Sequence, residues 1–260
     1  MKSIFKVALS LLLALILVPG CQKEERGPQD IPAQPGAKIK RILVFPGIDA
    51  TAPQYIESEY EYDSLGRISR VTHPMYRDGV VDGTGEYELY QYDPDGRLKV
   101  ISNFNYNATP GIGFVNLWNR TYDYSADGRL YKETTSYGNP ANDQYTILHY
   151  EDKRVVLTEN YSDGDKLENY NVKEYNKKGE VIKESDYSPD NRLQAYTLHS
   201  YSDGLQELSQ VYHTFPEVYM IRKIERTFDD NGNLDILLSK ELAPWSSMMS
   251  YKMKYEYYEY

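Results

Sequence analysis

Tyr92-Asp93-Pro94-Asp95-Gly96-Arg97-Leu98 decides the fold, because the chain keeps returning to it. It occurs earlier as Tyr62-Asp63-Ser64-Leu65-Gly66-Arg67-Ile68 and later as Tyr124-Ser125-Ala126-Asp127-Gly128-Arg129-Leu130. Looser copies occupy 161–167, 175–181, 187–193 and 228–234. A short unit repeated in this way means one supersecondary element repeated. Its order of aromatic, small polar residue, two turn-formers, positive-φ residue, polar residue and aliphatic predicts a β-hairpin closed by a G1 bulge. Asn191 and Asp165 replace glycine in two copies, and both residue types enter the left-handed region more readily than other side chains do. Pro94 and Pro189 stand where a φ near −65° is already required. The register puts Asp63 against Arg67 and Asp93 against Arg97 at the hairpin neck. One step outward it pairs Tyr62 with Ile68, Tyr92 with Leu98, Tyr124 with Leu130 and Phe228 with Leu234. Two further hairpins are shortened, at 151–154 and at Ser202-Asp203-Gly204-Leu205.

Joining each segment to the next through such turns gives an all-β fold. It is a long antiparallel meander of about 15 strands, twisted or rolled into an open, barrel-like sheet because a flat sheet of that width must curl. Strict alternation places Tyr90, Tyr92, Leu98, Val100 and Phe104 on one face, with Tyr87, Leu89 and Ile101 on the other. The longer connections, 73–84, 105–113, 137–143, 213–217 and 243–247, should gather at one edge. A binding site is expected there or in the groove of the rolled sheet.

The copy at 92–98 matches in full, and that at 62–68 in all but its last residue, Ile68, the Tyr-Asp-x-x-Gly-Arg-Leu signature of the YD-repeat (RHS-type) family, which the chain resembles over roughly 60–235. Large members wrap strips of sheet into shells around toxin domains. This chain is too short for a shell, so it looks more like the small YD-repeat lipoproteins of Bacteroidota-type bacteria.

The start of the chain carries an address. Lys2 and Lys6 precede an apolar run from Val7 to Val18, and Val18-Pro19-Gly20-Cys21 closes it. The run is too short to span a bilayer and reads as a signal peptide. Residues 1–20 are therefore assigned to a lipoprotein signal peptide, and 21–38 to a lipidated Cys21 with a flexible Pro/Gly-containing tether. Residues 39–260 form the sheet domain. Gln22 argues against inner-membrane retention, and Lys23-Glu24-Glu25 resembles a surface-export signal. The expected location is the outer membrane, anchored by lipid, with surface display favoured over the periplasmic side.

Cys21 is the one cysteine of 260 residues, which excludes a disulfide framework or thiolate metal site in the mature domain. Without residues 1–20 the chain keeps 27 basic against 39 acidic residues, a balance of −12 that argues against nucleic-acid partners. Tyrosine occurs 27 times against six phenylalanines at a mean hydropathy of −0.67, which suits half-wet pleated surfaces but not a lipid-facing band. The four histidines (His73, His149, His199, His213) show no ligand spacing. There is no Gly-x-Ser-x-Gly, P-loop or His-Glu-x-x-His motif. No cofactor, metal or catalytic residue is therefore assigned. Glu57, Glu59 and Glu61 alternate with tyrosines as a solvated face would. Trp245, Trp118, Tyr76 and Phe114, in or beside loops, are the candidate ligand contacts. The expected function is a non-enzymatic binding or scaffolding surface for a polysaccharide or an envelope protein. The alternative is a glycan hydrolase using paired carboxylates in the groove.

Overall fold

The computed structural model describes residues 37–258 apart from 46, 78–79, 108–110, 163, 215–216 and 243–249. Among the described residues are sixteen strands and one short 3-10 turn at Pro140–Asn142. The first eight strands are β1 (Ile39–Phe45), β2 (Tyr55–Tyr62), β3 (Ile68–Arg77), β4 (Val80–Tyr92), β5 (Leu98–Asn107), β6 (Gly113–Tyr124), β7 (Leu130–Ser136) and β8 (Gln144–Glu151). They are followed by β9 (Arg154–Ser162), β10 (Lys166–Tyr175), β11 (Val181–Tyr187), β12 (Leu193–Ser202), β13 (Leu205–His213), β14 (Tyr219–Phe228), β15 (Leu234–Glu241) and β16 (Tyr251–Tyr257). Each pairs antiparallel with its sequence neighbours, and β16 pairs with β1, so the meander is a closed barrel. The strand beyond the expected count is β3, which runs into the segment read as a loop from His73. Pro74 within it cannot donate to a ladder. Register shifts on either side of Pro74 accommodate it within the strand.

The heptad turns form as expected. Tyr62 pairs with Ile68, Tyr92 with Leu98, Tyr124 with Leu130 and Phe228 with Leu234, each beside a one-residue register shift. The motif acid closes the turn: Asp63 Oδ1 accepts the N–H groups of Leu65 and Arg67, both at 2.9 Å, and Oδ2 takes Arg67 Nε at 2.7 Å. Those bonds, the Arg67 N–H foremost, hold the Asp63 carboxyl below the usual carboxylate range. The bulge also corrects the facing of side chains. Gln91 pairs with Val100 and Tyr90 with Ile101, so Ile101 shares a face with Tyr90 and Tyr92 while Val100 and Phe104 join Tyr87 and Leu89. One inserted residue resets the alternation beyond it.

Two motif residues act between hairpins rather than within one. The hydroxyls of Tyr62, Tyr92, Tyr124, Tyr150, Tyr175 and Tyr201 donate to the carbonyls of Ile39, Ile68, Leu98, Leu130, Val155 and Val181, at 2.6–2.9 Å. Each acceptor is the first or second residue of a strand in the preceding hairpin. The preceding motif cation lies over the same ring: Arg67 over Tyr92 at 4.2 Å, Arg97 over Tyr124 at 5.0 Å and Arg154 over Tyr175 at 5.5 Å. The motif glycine has to make room for it. Gly179 has φ +86°, and a Cβ there would stand 3.2 Å from Arg154 Nη2.

The chain ends complete this series. Ile39 pairs with Tyr257 as Ile68 does with Tyr62. Tyr258 N–H reaches the Lys38 carbonyl at 2.9 Å, as Asp63 N–H reaches Arg67 at 2.8 Å. Lys38 Nζ lies 5.3 Å from the Tyr62 ring centre, in the role of the motif arginine. Tyr257 donates to the Leu234 carbonyl at 2.8 Å. The eighth hairpin is thus split between the two termini, and the barrel closes with the same contacts that stack its other units. The charged run at 251–256 lies in β16, which is paired on both sides.

Alternation of the connections defines two rims. The rim holding the heptad turns after β2, β4, β6, β10 and β14 also holds the chain entry at Ile39; we call it the turn rim. The opposite loop rim carries the connections after β1, β3, β5, β7, β13 and β15, so the longer connections do share one edge. The Asp165 and Asn191 turns lie there too, and their departure from glycine has a reason. Asp165 Oδ1 accepts the Tyr145 hydroxyl and Asn191 Oδ1 that of Tyr170, both at 2.7 Å, a bond glycine could not make.

Candidate functional site

Cross-strand pairing sorts side chains into an inner and an outer face. The outer one is charged along the strands. It carries Arg41–Glu256 at 2.6 Å, Lys183–Glu174 at 2.9 Å, and Glu225 between Lys223 at 2.9 Å and Lys240 at 2.7 Å. Between these lie stacked tyrosine pairs, such as Tyr145–Tyr161 and Tyr196–Tyr212 with ring centres 4.7 and 4.8 Å apart. A lipid-facing belt would make such charges costly. No helix among the described residues is long and apolar enough to cross a membrane.

The inner face is only locally apolar. Ile42, Val44, Tyr60, Val71, Leu234, Leu237 and Tyr255 are buried around the closing seam. Elsewhere the inward side chains are mostly half-buried and polar, as expected in a barrel of this strand number, whose interior is too wide to fill. They bond along the wall. Thr146, Asn160 and Asn169 form one chain with both links at 2.7 Å, and Asn171 reaches Asp186 at 2.8 Å. A second chain joins Arg226 Nη1 to Ser209 Oγ (2.8 Å), Ser209 to His199 Nδ1 (3.0 Å) and His199 Nε2 to Glu184 (3.1 Å). Sequence reading missed it because its members stand on four different strands. The His199 bond is the main reason the Glu184 carboxyl stays below its ordinary range. Glu184 takes the Nε2 proton of His199, and Ser209 Oγ accepts from Arg226. Ser209 is 2 % exposed and its oxygen is occupied, so the serine–histidine–glutamate geometry braces the wall rather than presenting a nucleophile.

Glu133 on β7 faces inward beside Tyr122 and Arg120. Burial raises its carboxyl pKa, with Arg120 opposing, and burial followed by the Glu133 charge pushes the Tyr122 hydroxyl up to about 12. A carboxyl raised on folding contributes its full stability below the unfolded pKa, and that contribution is lost as pH rises through the folded value. Glu133→Gln is therefore expected to be more stable than the parent at about pH 7, with the gain vanishing near about pH 4. Urea midpoints at the two pH values check this.

At the loop rim, the strand starts and ends of β2, β3 and β4 enclose a cleft of about 530 Å³, lined by Gln54, Tyr55, Ile56, Glu57, His73, Pro74, Tyr76 and Glu86. Tyr55 and Tyr76 meet edge to face with ring centres 5.9 Å apart. Tyr76 is fixed by accepting the Ile56 N–H at 2.6 Å. His73 Nδ1 donates to the Glu57 carbonyl at 2.9 Å. Burial, then the charge of Glu57 and a bond to it, raise the Tyr55 hydroxyl pKa, so that group remains a neutral donor. Glu59 and Glu61 are exposed as expected of a solvated face. Glu57 is not part of that face. Ile42 pairs with Ser58 but Leu43 with Ile56, and the bulge diverts Glu57 to the cleft.

Of the candidate contacts, Tyr76 lines this cleft, and Phe114 and Trp118 do not join it. Phe114 sits in an outer aromatic cluster, 5.0 Å from Tyr87 and 5.5 Å from Tyr106. Trp118 pairs with inward Asn103 beneath Arg120, and the register shift between Asn103 and Phe104 separates it from Phe114. Trp245 and Cys21 lie outside the described residues. Among the described residues no group of three or more His, Cys, Asp or Glu could hold a metal ion.

No family model matches the chain, and no curated protein matches it. Among solved structures it is similar to a porin-like protein from Bacteroides uniformis ATCC 8492, with 9 % identity over 85 % of this chain and 96 % of that one, TM-score 0.40. A porin-like protein from Bacteroides vulgatus ATCC 8482 gives 11 % identity over 85 % and 98 %, TM-score 0.39. A TcdB2-TccC3-TEV structure gives 10 % identity over 74 % of this chain and 12 % of that one, TM-score 0.21. Likeness at this level assigns neither family nor function.

Proposed function

We propose that the protein is a lipid-tethered barrel of the outer membrane that stands in water rather than spanning the bilayer. On this reading it is a non-enzymatic binding or scaffolding module for a polysaccharide or envelope protein. The observation that carries it is the outer wall, where ion pairs such as Arg41–Glu256 and Lys183–Glu174 stand on the face that lipid would have to cover. The charged outer face supports a water-exposed wall, and the heptad's resemblance to small YD-repeat lipoproteins supports the address. Cys21→Ser should move the protein from the membrane pellet to the soluble fraction without detergent, and protease added to intact cells should cut the parent. A Cys21→Ser protein that still needs detergent for extraction would overturn the tethered reading.

A glycan hydrolase is the second reading, and one observation favours it. Glu133, with its raised pKa, shares an inner wall with Glu88, and both bear on Tyr122. Such an enzyme should release reducing ends from an envelope polysaccharide and stop doing so in Glu133→Gln. Release that persists in that variant removes Glu133 from the chemistry.

A further inference from the structure

We propose that the loop-rim cleft binds a small molecule through a primary ammonium group, with the ammonium at Glu57 and Glu86 and the body of the ligand against Tyr55 and Tyr76. This deepens the reading of the loop rim as the ligand end. The cleft lining contains two carboxylates and neither lysine nor arginine. Neither acid forms an ion pair with a lysine or arginine among the described residues. Glu57 lies beside Tyr55 in the lining, and Glu86 Oε1 takes Asn103 Nδ2 at 2.5 Å. Asn103 itself is fully buried, and its Oδ1 has no partner. That pocket wall therefore carries two carboxylates and, behind one of them, a buried carbonyl oxygen. Leaving such groups unmatched is costly, and an ammonium supplies both the charge and three N–H donors. The two tyrosine rings add faces that attract a cation and cover an apolar or sugar body. A quaternary ammonium would meet the rings equally well but would leave the acceptors without N–H groups. The outer bulge at Glu57, which aims it here, is what a binding role for this residue requires.

The test titrates the purified full chain with glucosamine and n-butylamine, and with their N-acetyl forms, by calorimetry. The expected result is binding of at least one amine, weakened on the order of tenfold or more by acetylation and by either Glu57→Gln or Glu86→Gln. Glu59→Gln, on the exposed outer side, should bind as the parent does, and circular dichroism melts confirm that each variant is folded. Equal binding of an amine and its N-acetyl form would overturn the ammonium assignment while leaving the loop rim as a ligand end. No binding of either amine would overturn it too, and the tethered reading would still stand or fall on the Cys21→Ser fractionation.

Discussion

A chain ending at Ser250 is expected to lose its cooperative unfolding transition and to aggregate. Removing β16 breaks two ladders at once, because its residues pair with β1 from Ile39 to Phe45 and with β15 from Ile236 to Ser239. It also removes buried Tyr255, the Arg41–Glu256 ion pair and the Tyr257 hydroxyl bond to Leu234. What remains has two open edges, each a template for another chain. A chain starting at Ala37 should melt as the parent does, since the split eighth hairpin begins at Lys38. Calorimetry and light scattering on both truncations check this; a sharp transition in the chain ending at Ser250 would show that the seam is dispensable.

Leu234→Ala should lower stability by about 2–5 kcal/mol, the range for emptying a closed apolar site. Leu234 is 0 % exposed, opens β15, pairs with Phe228 across the last heptad turn and holds Tyr257 through its carbonyl. Leu65 occupies a turn position in the first heptad and is 74 % exposed, so Leu65→Ala should change stability by no more than about 0.5 kcal/mol. Urea unfolding compares them, and the slope should be unchanged in both. Equal midpoints would mean that the seam is not where the apolar core lies.

Much of this was legible because the heptad is local chemistry. Pairings such as Tyr92 with Leu98, the left-handed slots and the shared edge for long connections all follow from residues a few positions apart. The contacts that stack one hairpin on the next were not legible. The Tyr92 hydroxyl and the Arg67 guanidinium act across about one repeat, and spacing does not encode which carbonyl or ring they meet. Closure was invisible for the same reason, since Lys38 and Tyr258 complete a turn that no contiguous stretch spells out. Bulges defeated the facing of side chains twice: Val100 and Phe104 moved to the outer face, and Glu57 left a solvated row for the cleft. Tyr76 was found from its aromatic ring beside an expected loop, whereas Tyr55, His73 and Glu86 needed the strand pairing to bring them to it.

The most direct test of the barrel's closure is a disulfide across the seam. In a Cys21→Ser background, Arg41→Cys with Glu256→Cys replaces an outward register pair, while Arg41→Cys with Lys240→Cys places the thiols two strands apart. The account predicts that mild oxidation gives an intramolecular bond in the first variant, seen as a 2 Da mass loss and faster non-reducing migration, and none in the second. Free thiols in both, or bonds only between molecules, would contradict a barrel closed by its own first and last strands.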